Sequence, residues 1–123
     1  MTEDLAEVLD VSRLETLVEE IGDRDLVRQA VQAFLDELPM RLHAISTSVA
    51  AREHEEVGSS AHALGSPAAM LGAVAVRSGT RRLQAAAEEQ ATEAYAGLLD
   101  SIRGAAAATE LAMRSYLAST AST

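Results

Sequence analysis

Residues 55–69 read EEVGSSAHALGSPAA, and this segment indicates the fold class of the chain. One set of its apolar residues recurs every three or four positions, which is the spacing of one face of an α-helix. They are Val57, Ala61, Leu64, Ala68 and, just beyond the segment, Leu71. Gly72 follows and predicts a helix end. An alanine-rich inner face of this kind favours close packing against other helices.

The opposite face of the same helix carries a histidine among small side chains. Residues three and four positions from His62 share its face. Two glycines within a helix cost about 1 kcal/mol each relative to alanine, which this chain uses freely elsewhere. We therefore predict a flat ledge from which another protein surface can approach the imidazole closely. The predicted ledge comprises Gly58, Ser59, Gly65, Ser66 and Ala69.

Composition excludes several classes of function. The chain has 123 residues, a net charge of −9 and no cysteine. The acidic charge argues against a nucleic-acid partner, and the lack of cysteine excludes disulfides and thiolate metal sites. No apolar stretch is long enough to span a bilayer, and the acidic start, residues 1–5, lacks the basic region of a signal peptide. We expect a cytoplasmic protein.

The remaining sequence also reads as helix. A short first helix is predicted from Ser12, as its cap, to Ile21. The second runs from an Asp23 cap to about Ala51 along an apolar stripe that includes Leu26 and Ala30. The histidine-bearing third helix is followed by a fourth over about 73–89. A fifth is predicted to be capped by Thr92, with Leu98, Leu99, Ile102, Leu111 and Met113 inward.

These elements predict an all-α fold, an antiparallel four-helix bundle with a short extra N-terminal helix folded across it. Short connections make neighbouring helices antiparallel. The length fits a single domain over 1–123, with a frayed tail at about 119–123. We expect a monomer.

The sequence resembles the histidine-containing phosphotransfer (HPt) domain family. Ala61-His62-Ala63-Leu64, followed by Gly72-Ala73, is similar to the active-site signature of that family. Residues 34–39 (FLDELP) resemble the helix before the active site, and Leu83-Gln84 resembles a leucine and polar residue of the next helix. The resemblance covers about residues 8–117 and implies an HPt-like bundle.

The family's lysine three positions after the histidine is Gly65 in this chain, and the glycine after it is Ser66. The family lysine is thought to favour the phosphorylated state. A lysine at position 65 would share a face with His62, one turn along the helix. We therefore expect Gly65→Lys to move the phosphoryl equilibrium toward this protein.

The resemblance implies that His62 accepts a phosphoryl group and passes it between receiver-domain aspartates in a multistep two-component phosphorelay. A neutral imidazole is a nucleophile that can attack an acyl phosphate without a separate strong base. The partners implied are response-regulator receiver domains and a hybrid histidine kinase. The receiver would supply Mg²⁺, and this chain would need no cofactor. No Gly-rich phosphate loop is present, so we expect a phosphoryl carrier without ATP-dependent kinase activity.

Several alternatives stay open. His62 could be a solvated surface histidine, although the ledge and the spacing to Gly72 favour a phosphoacceptor. Gln84 either orients the imidazole or is an ordinary exposed glutamine. Arg77, Arg81 and Arg82 could supply the positive charge that Gly65 does not, but a solvated helix face is the favoured interpretation. For His43 and His54 a surface position without metal is favoured. The whole domain could also dock a receiver or kinase without phosphotransfer, or be a plain structural bundle.

Overall fold

The computed structural model describes residues 8–121, and these form five α-helices and no strand. The helices are α1 (Val11–Ile21), α2 (Arg24–Ala51), α3 (His54–Met70), α4 (Val74–Glu88) and α5 (Thr92–Ser119). The acidic start of the chain and residues 122–123 of the expected frayed tail lie outside the described residues. Within the described part, α5 continues helically to Ser119.

Helices α2 to α5 form the bundle that the sequence predicts. Each packs against the next along the chain, and α5 closes the bundle by packing against α2. Connections of two or three residues reverse the chain between successive helices. One apolar cluster fills the space between the four helices, and its largest fully buried members include Tyr95, Leu64, Leu83, Ile102 and Met113. The predicted fold class is confirmed.

The junction between α1 and α2 follows the sequence prediction. Gly22 ends α1 in the left-handed conformation, at φ 79°. Asp23 then caps α2, because its carboxylate accepts hydrogen bonds from the backbone N–H groups of Asp25 and Leu26.

Two other predicted caps are wrong. Asp10, and not Ser12, is the N-cap of α1, and its carboxylate accepts from the Arg13 backbone N–H. The Ser12 hydroxyl instead donates to the Asp10 carboxylate at 2.5 Å. At the start of α5 the N-cap is Ala91, without a side-chain bond, and Thr92 is already helical.

The first helix closes the end of the bundle where α3 turns into α4. The Asp10 backbone N–H donates to the Gly72 carbonyl at 2.8 Å, and Arg13 Nε donates to the Met70 carbonyl at 3.1 Å. Gly72 has φ 76°, and a Cβ there would lie 2.7 Å from the Asp10 carbonyl oxygen. Glycine is therefore required at this turn by both its conformation and its neighbour.

The apolar stripes predicted for α2 and α5 contain three residues that the structure leaves exposed. Leu26 is 49% exposed, Leu111 is 73% exposed, and Ala30 also faces solvent. Leu26 adjoins the buried Val27, and Leu111 lies two residues before the buried Met113. Adjacent positions on a helix differ by about 100° in direction and positions two apart by about 200°, so only one member of each pair can point directly into the core.

None of the helices within residues 8–121 is both long and apolar enough to cross a membrane.

Candidate functional site

Small residues bring α3 and α4 close together and set their register. A Cβ built on Gly58 would lie 3.8 Å from the Ala87 Cβ, and one built on Gly65 would lie 2.5 Å from the Thr80 Oγ1. Because the two helices are antiparallel, His62 lies between these contacts, opposite the part of α4 that contains Gln84. Gly58 accepts a small side chain, whereas Gly65 has no room for one.

Gly65 therefore departs from the predicted ledge. It is buried under Thr80, a fully buried, β-branched residue whose hydroxyl donates to the Arg77 carbonyl at 2.9 Å. Ser59 and Ser66 are exposed, and Gly58 and Ala69 are half-buried. The expectation that a lysine at position 65 would simply extend over the ledge is wrong, because its Cβ would collide with Thr80 first.

His62 is exposed and borders an open cleft of about 170 Å³ between α3 and α4. Four α3 residues line one wall: His62, Gly65, Ser66 and Ala69. Four α4 residues line the other: Arg77, Thr80, Arg81 and Gln84. The cleft thus combines an imidazole, two hydroxyls, two guanidinium groups and a carboxamide in a space large enough for a phosphoryl group.

Gln84 lies in this cleft at the level of His62. Its side chain is half-buried, and within the described residues neither it nor the His62 ring makes a hydrogen bond. The proximity is compatible with a carboxamide that orients the imidazole. That role remains a prediction.

The three arginines of α4 divide into two groups. All three are exposed, as the interpretation of a solvated helix face requires. Arg77 and Arg81 also line the cleft, whereas Arg82 does not. The signal that could have separated them is the spacing of Arg77, Arg81 and Gln84, which fall at positions i, i+4 and i+7 of one helical face.

The family model of the Hpt domain matches residues 29–119. The chain belongs to the Hpt-domain family. It is accordingly a histidine phosphotransfer protein of a phosphorelay. The matched range covers most of α2 and all of α3 to α5, and it includes both walls of the cleft.

A solved structure with the same fold is the crystal structure of histidine-containing phosphotransfer protein B (HptB) from Pseudomonas aeruginosa PAO1. The TM-score is 0.81, the sequences are 18% identical, and the similarity covers 88% of this chain and 92% of that chain. At this identity the likeness shows the shared fold. No curated protein matches the sequence significantly.

The helix that carries His62 in this Hpt domain contains a proline just beyond the histidine. Pro67 has no backbone N–H, so the Ala63 carbonyl, four residues before it, lacks its usual helical donor. Arg41 of α2 supplies one, because its Nη1 donates to that carbonyl at 3.1 Å. Glu37 holds the same guanidinium at 2.7 Å. This donor is twenty-two positions away from Ala63 in sequence, so local sequence patterns do not reveal it.

The other two histidines of the Hpt domain lie outside the cleft. His43 is exposed on α2, and His54 is half-buried at the start of α3. His54 Nδ1 lies 2.7 Å from the Tyr95 hydroxyl, so this histidine joins α3 to α5 and is not a free surface residue. Within residues 8–121 no group of three His, Cys, Asp or Glu side chains is arranged to hold a metal ion.

Proposed function

We propose that His62 is the residue of this Hpt domain that receives and donates the phosphoryl group. The observation that carries the proposal is its position, exposed at the edge of a cleft in which Ser66, Gln84, Arg77 and Arg81 can donate hydrogen bonds to an anion. His43 has no such surroundings, and His54 is engaged with Tyr95.

The reaction proposed is transfer between His62 and the aspartyl phosphate of a receiver domain. A lone pair of the neutral imidazole attacks phosphorus, the N–P bond forms and the P–O bond to aspartate breaks. The aspartate leaves as a carboxylate with the bonding electrons, and the reverse step returns the group to another receiver. Such transfers depend mainly on in-line positioning and on stabilising charge. Mg²⁺ bound by the receiver would supply part of that stabilisation.

The docking surface proposed for the receiver surrounds His62. Ser59 and Ser66 are exposed on either side of it, and Gly58 and Ala69 extend the surface with minimal side chains. Gly65 is buried beneath this surface and contributes by allowing α4 to approach α3 closely. We further propose that the domain acts as a cytoplasmic monomer, with receiver domains and a hybrid histidine kinase as its transient partners.

The test is transfer in both directions with receiver domains from the same organism. A receiver carrying radiolabelled phosphate should pass label to this protein, and the purified labelled protein should pass it to a second receiver when Mg²⁺ is present. Affinity for the unphosphorylated receiver is measured in parallel. Binding of a receiver without transfer would contradict the proposal and identify the domain as a docking module. If none of the tested receivers binds or transfers phosphate, both the phosphotransfer proposal and the docking alternative are contradicted.

A further inference from the structure

We infer that Arg77 and Arg81 bind the phosphoryl group while it is attached to His62, and so replace the lysine found in related domains. The inference rests on the proposed role of His62. It assigns to α4 a charge that the family resemblance places on α3. No lysine occurs in the chain, whose ten basic residues other than histidine are all arginine.

Arg77 and Arg81 lie on the wall of the cleft that faces His62. The Gly65–Thr80 contact places the adjacent Arg81 within one turn of the level of His62, and Arg77 about one turn further along the same face. An extended arginine side chain is long enough to cover such offsets. Ser66 lies on the facing wall, where its hydroxyl can donate to the same oxygens.

The guanidinium groups of Arg77 and Arg81 are not engaged by other side chains of the described residues. In the described part of the chain, neither Arg77 nor Arg81 makes a side-chain hydrogen bond or an ion pair, and no carboxylate lines the cleft. Most other arginines have partners. Those in ion pairs are Arg13, Arg24, Arg41, Arg103 and Arg114, and Arg28 donates to Thr120 and Leu117.

Guanidinium groups suit the charge and geometry of a phosphoryl group. A phosphoryl group on a ring nitrogen presents three oxygens with up to two negative charges. Guanidinium is permanently charged and presents paired N–H groups that match two of those oxygens. Two unpaired arginines in a protein of net charge −9 therefore form a local anion site.

The Gly65–Thr80 contact explains why the charge lies on α4. Position 65 has no room for a side chain, so a lysine cannot occupy it without separating the helices. The same close approach brings the arginines of α4 to the histidine of α3.

The test measures the phosphoryl equilibrium between this protein and one receiver. Arg77→Gln and Arg81→Gln should each reduce the ratio of phosphorylated to free protein by about two- to five-fold, with Arg81 the stronger, and the double variant should lose about ten-fold. Arg82→Gln is the matched control, since it removes the same charge from the neighbouring exposed position and should change the ratio by less than about two-fold.

Two further measurements separate phosphoryl binding from other roles. Arg81→Lys should recover part of the lost ratio, because it restores the charge, whereas a purely structural role would not be rescued in this way. Affinity for the unphosphorylated receiver should stay within about two-fold of wild type. A fall in that affinity with an unchanged ratio would overturn the inference and assign the arginines to docking.

The outcomes also distinguish this inference from the proposed function. The inference alone would be overturned if the wild type accepts phosphate normally and Arg77→Gln and Arg81→Gln give the same ratio of phosphorylated to free protein as Arg82→Gln. Failure of the wild type to accept phosphate from any receiver would overturn the proposed function, and the inference with it.

Discussion

Gly65 controls how closely α3 approaches α4, and its substitution should destabilise the fold. A Cβ at this position would lie 2.5 Å from the Thr80 Oγ1 and 3.2 Å from its Cβ. Thr80 is fully buried and stiff, so it cannot move away easily. We expect Gly65→Ala to lower the free energy of unfolding by about 1–3 kcal/mol, as overpacked cores do. Gly65→Lys should be at least as unfavourable.

Chemical denaturation of matched glycine variants checks this prediction. Gly104 is the control, because it lies within α5 and a Cβ there would meet nothing within 4 Å. Gly104→Ala should therefore stabilise the protein by roughly 0.5–1 kcal/mol through helix propensity alone. Equal stabilisation by Gly65→Ala would show that the contact with Thr80 does not constrain the helices.

Ser66 tests whether the receiver docks over the cleft. It is exposed one turn from His62, so Ser66→Arg introduces a long side chain into the proposed docking surface without entering the core. We expect receiver affinity to fall by about ten-fold or more, with an unchanged melting temperature. Ser101→Arg, at an exposed position of α5, is the control. Calorimetric titration that gives equal affinities for both variants would place the docking surface elsewhere.

At the scale of the element, α3 tolerates an internal proline because α2 supplies the missing donor. Removing that donor with Arg41→Ala should lower the free energy of unfolding by about 0.5–1.5 kcal/mol. Pro67→Ala restores a backbone N–H that can bond the Ala63 carbonyl, so Arg41→Ala should cost less in that background. The ion pair of Arg41 with Glu37 is lost in both backgrounds and cancels from the comparison.

Urea unfolding of the wild type, the two single variants and the double variant completes this cycle. A cost of Arg41→Ala that is the same with and without Pro67 would contradict the pairing of the arginine with the freed carbonyl.

Helix content and the inner faces of α3 and α4 could be predicted because they depend on local periodicity. Val57, Ala61 and Leu64 repeat at helical spacing, and all are buried. Caps were less predictable, since Ser12 and Asp10 compete for the same helix start, and the Asp10 carboxylate accepts from both the Arg13 N–H and the Ser12 hydroxyl.

Some features of the site could likewise be predicted from local sequence, whereas others depend on contacts between helices. The exposed position of His62 follows from the sequence of α3 alone. The burial of Gly65 and the position of Arg81 in the cleft do not, because both depend on the register between α3 and α4. That register is set by the Gly65–Thr80 and Gly58–Ala87 contacts, which join residues distant in sequence.

At the scale of the whole molecule, one polar cluster joins α1, α2 and α5 at the end of the bundle away from the α2–α3 turn. Both guanidinium nitrogens of Arg24 donate to the Glu15 carboxylate, at 2.7 and 2.8 Å, and the Tyr116 hydroxyl donates to it at 3.3 Å. The hydrogen bonds and charge of Arg24 lower the pKa of Glu15 below its ordinary value of 4.5. Burial raises the pKa of Tyr116.

This cluster predicts a pH dependence of stability. Because the pKa of Glu15 is lower in the folded protein, the unfolded chain binds the proton first as pH falls. The contribution of Glu15 is complete above pH 4.5 and is lost as pH falls through its lower folded value. Urea unfolding at successive pH values should therefore show a shallower acid decline for Glu15→Gln than for wild type. Parallel declines would show that Arg24 does not stabilise the ionised carboxylate.

The most direct test of the account is the location of the phosphate. After incubation with a phosphorylated receiver, wild type and His43→Gln should carry label that is lost in acid and kept in alkali, as expected of a phosphorus–nitrogen bond. His62→Gln should carry none, while its melting temperature and receiver affinity remain close to those of wild type, because His62 is exposed and makes no hydrogen bond within the described residues. Label of the same lability on folded His62→Gln would contradict the assignment of His62 as the phosphoacceptor.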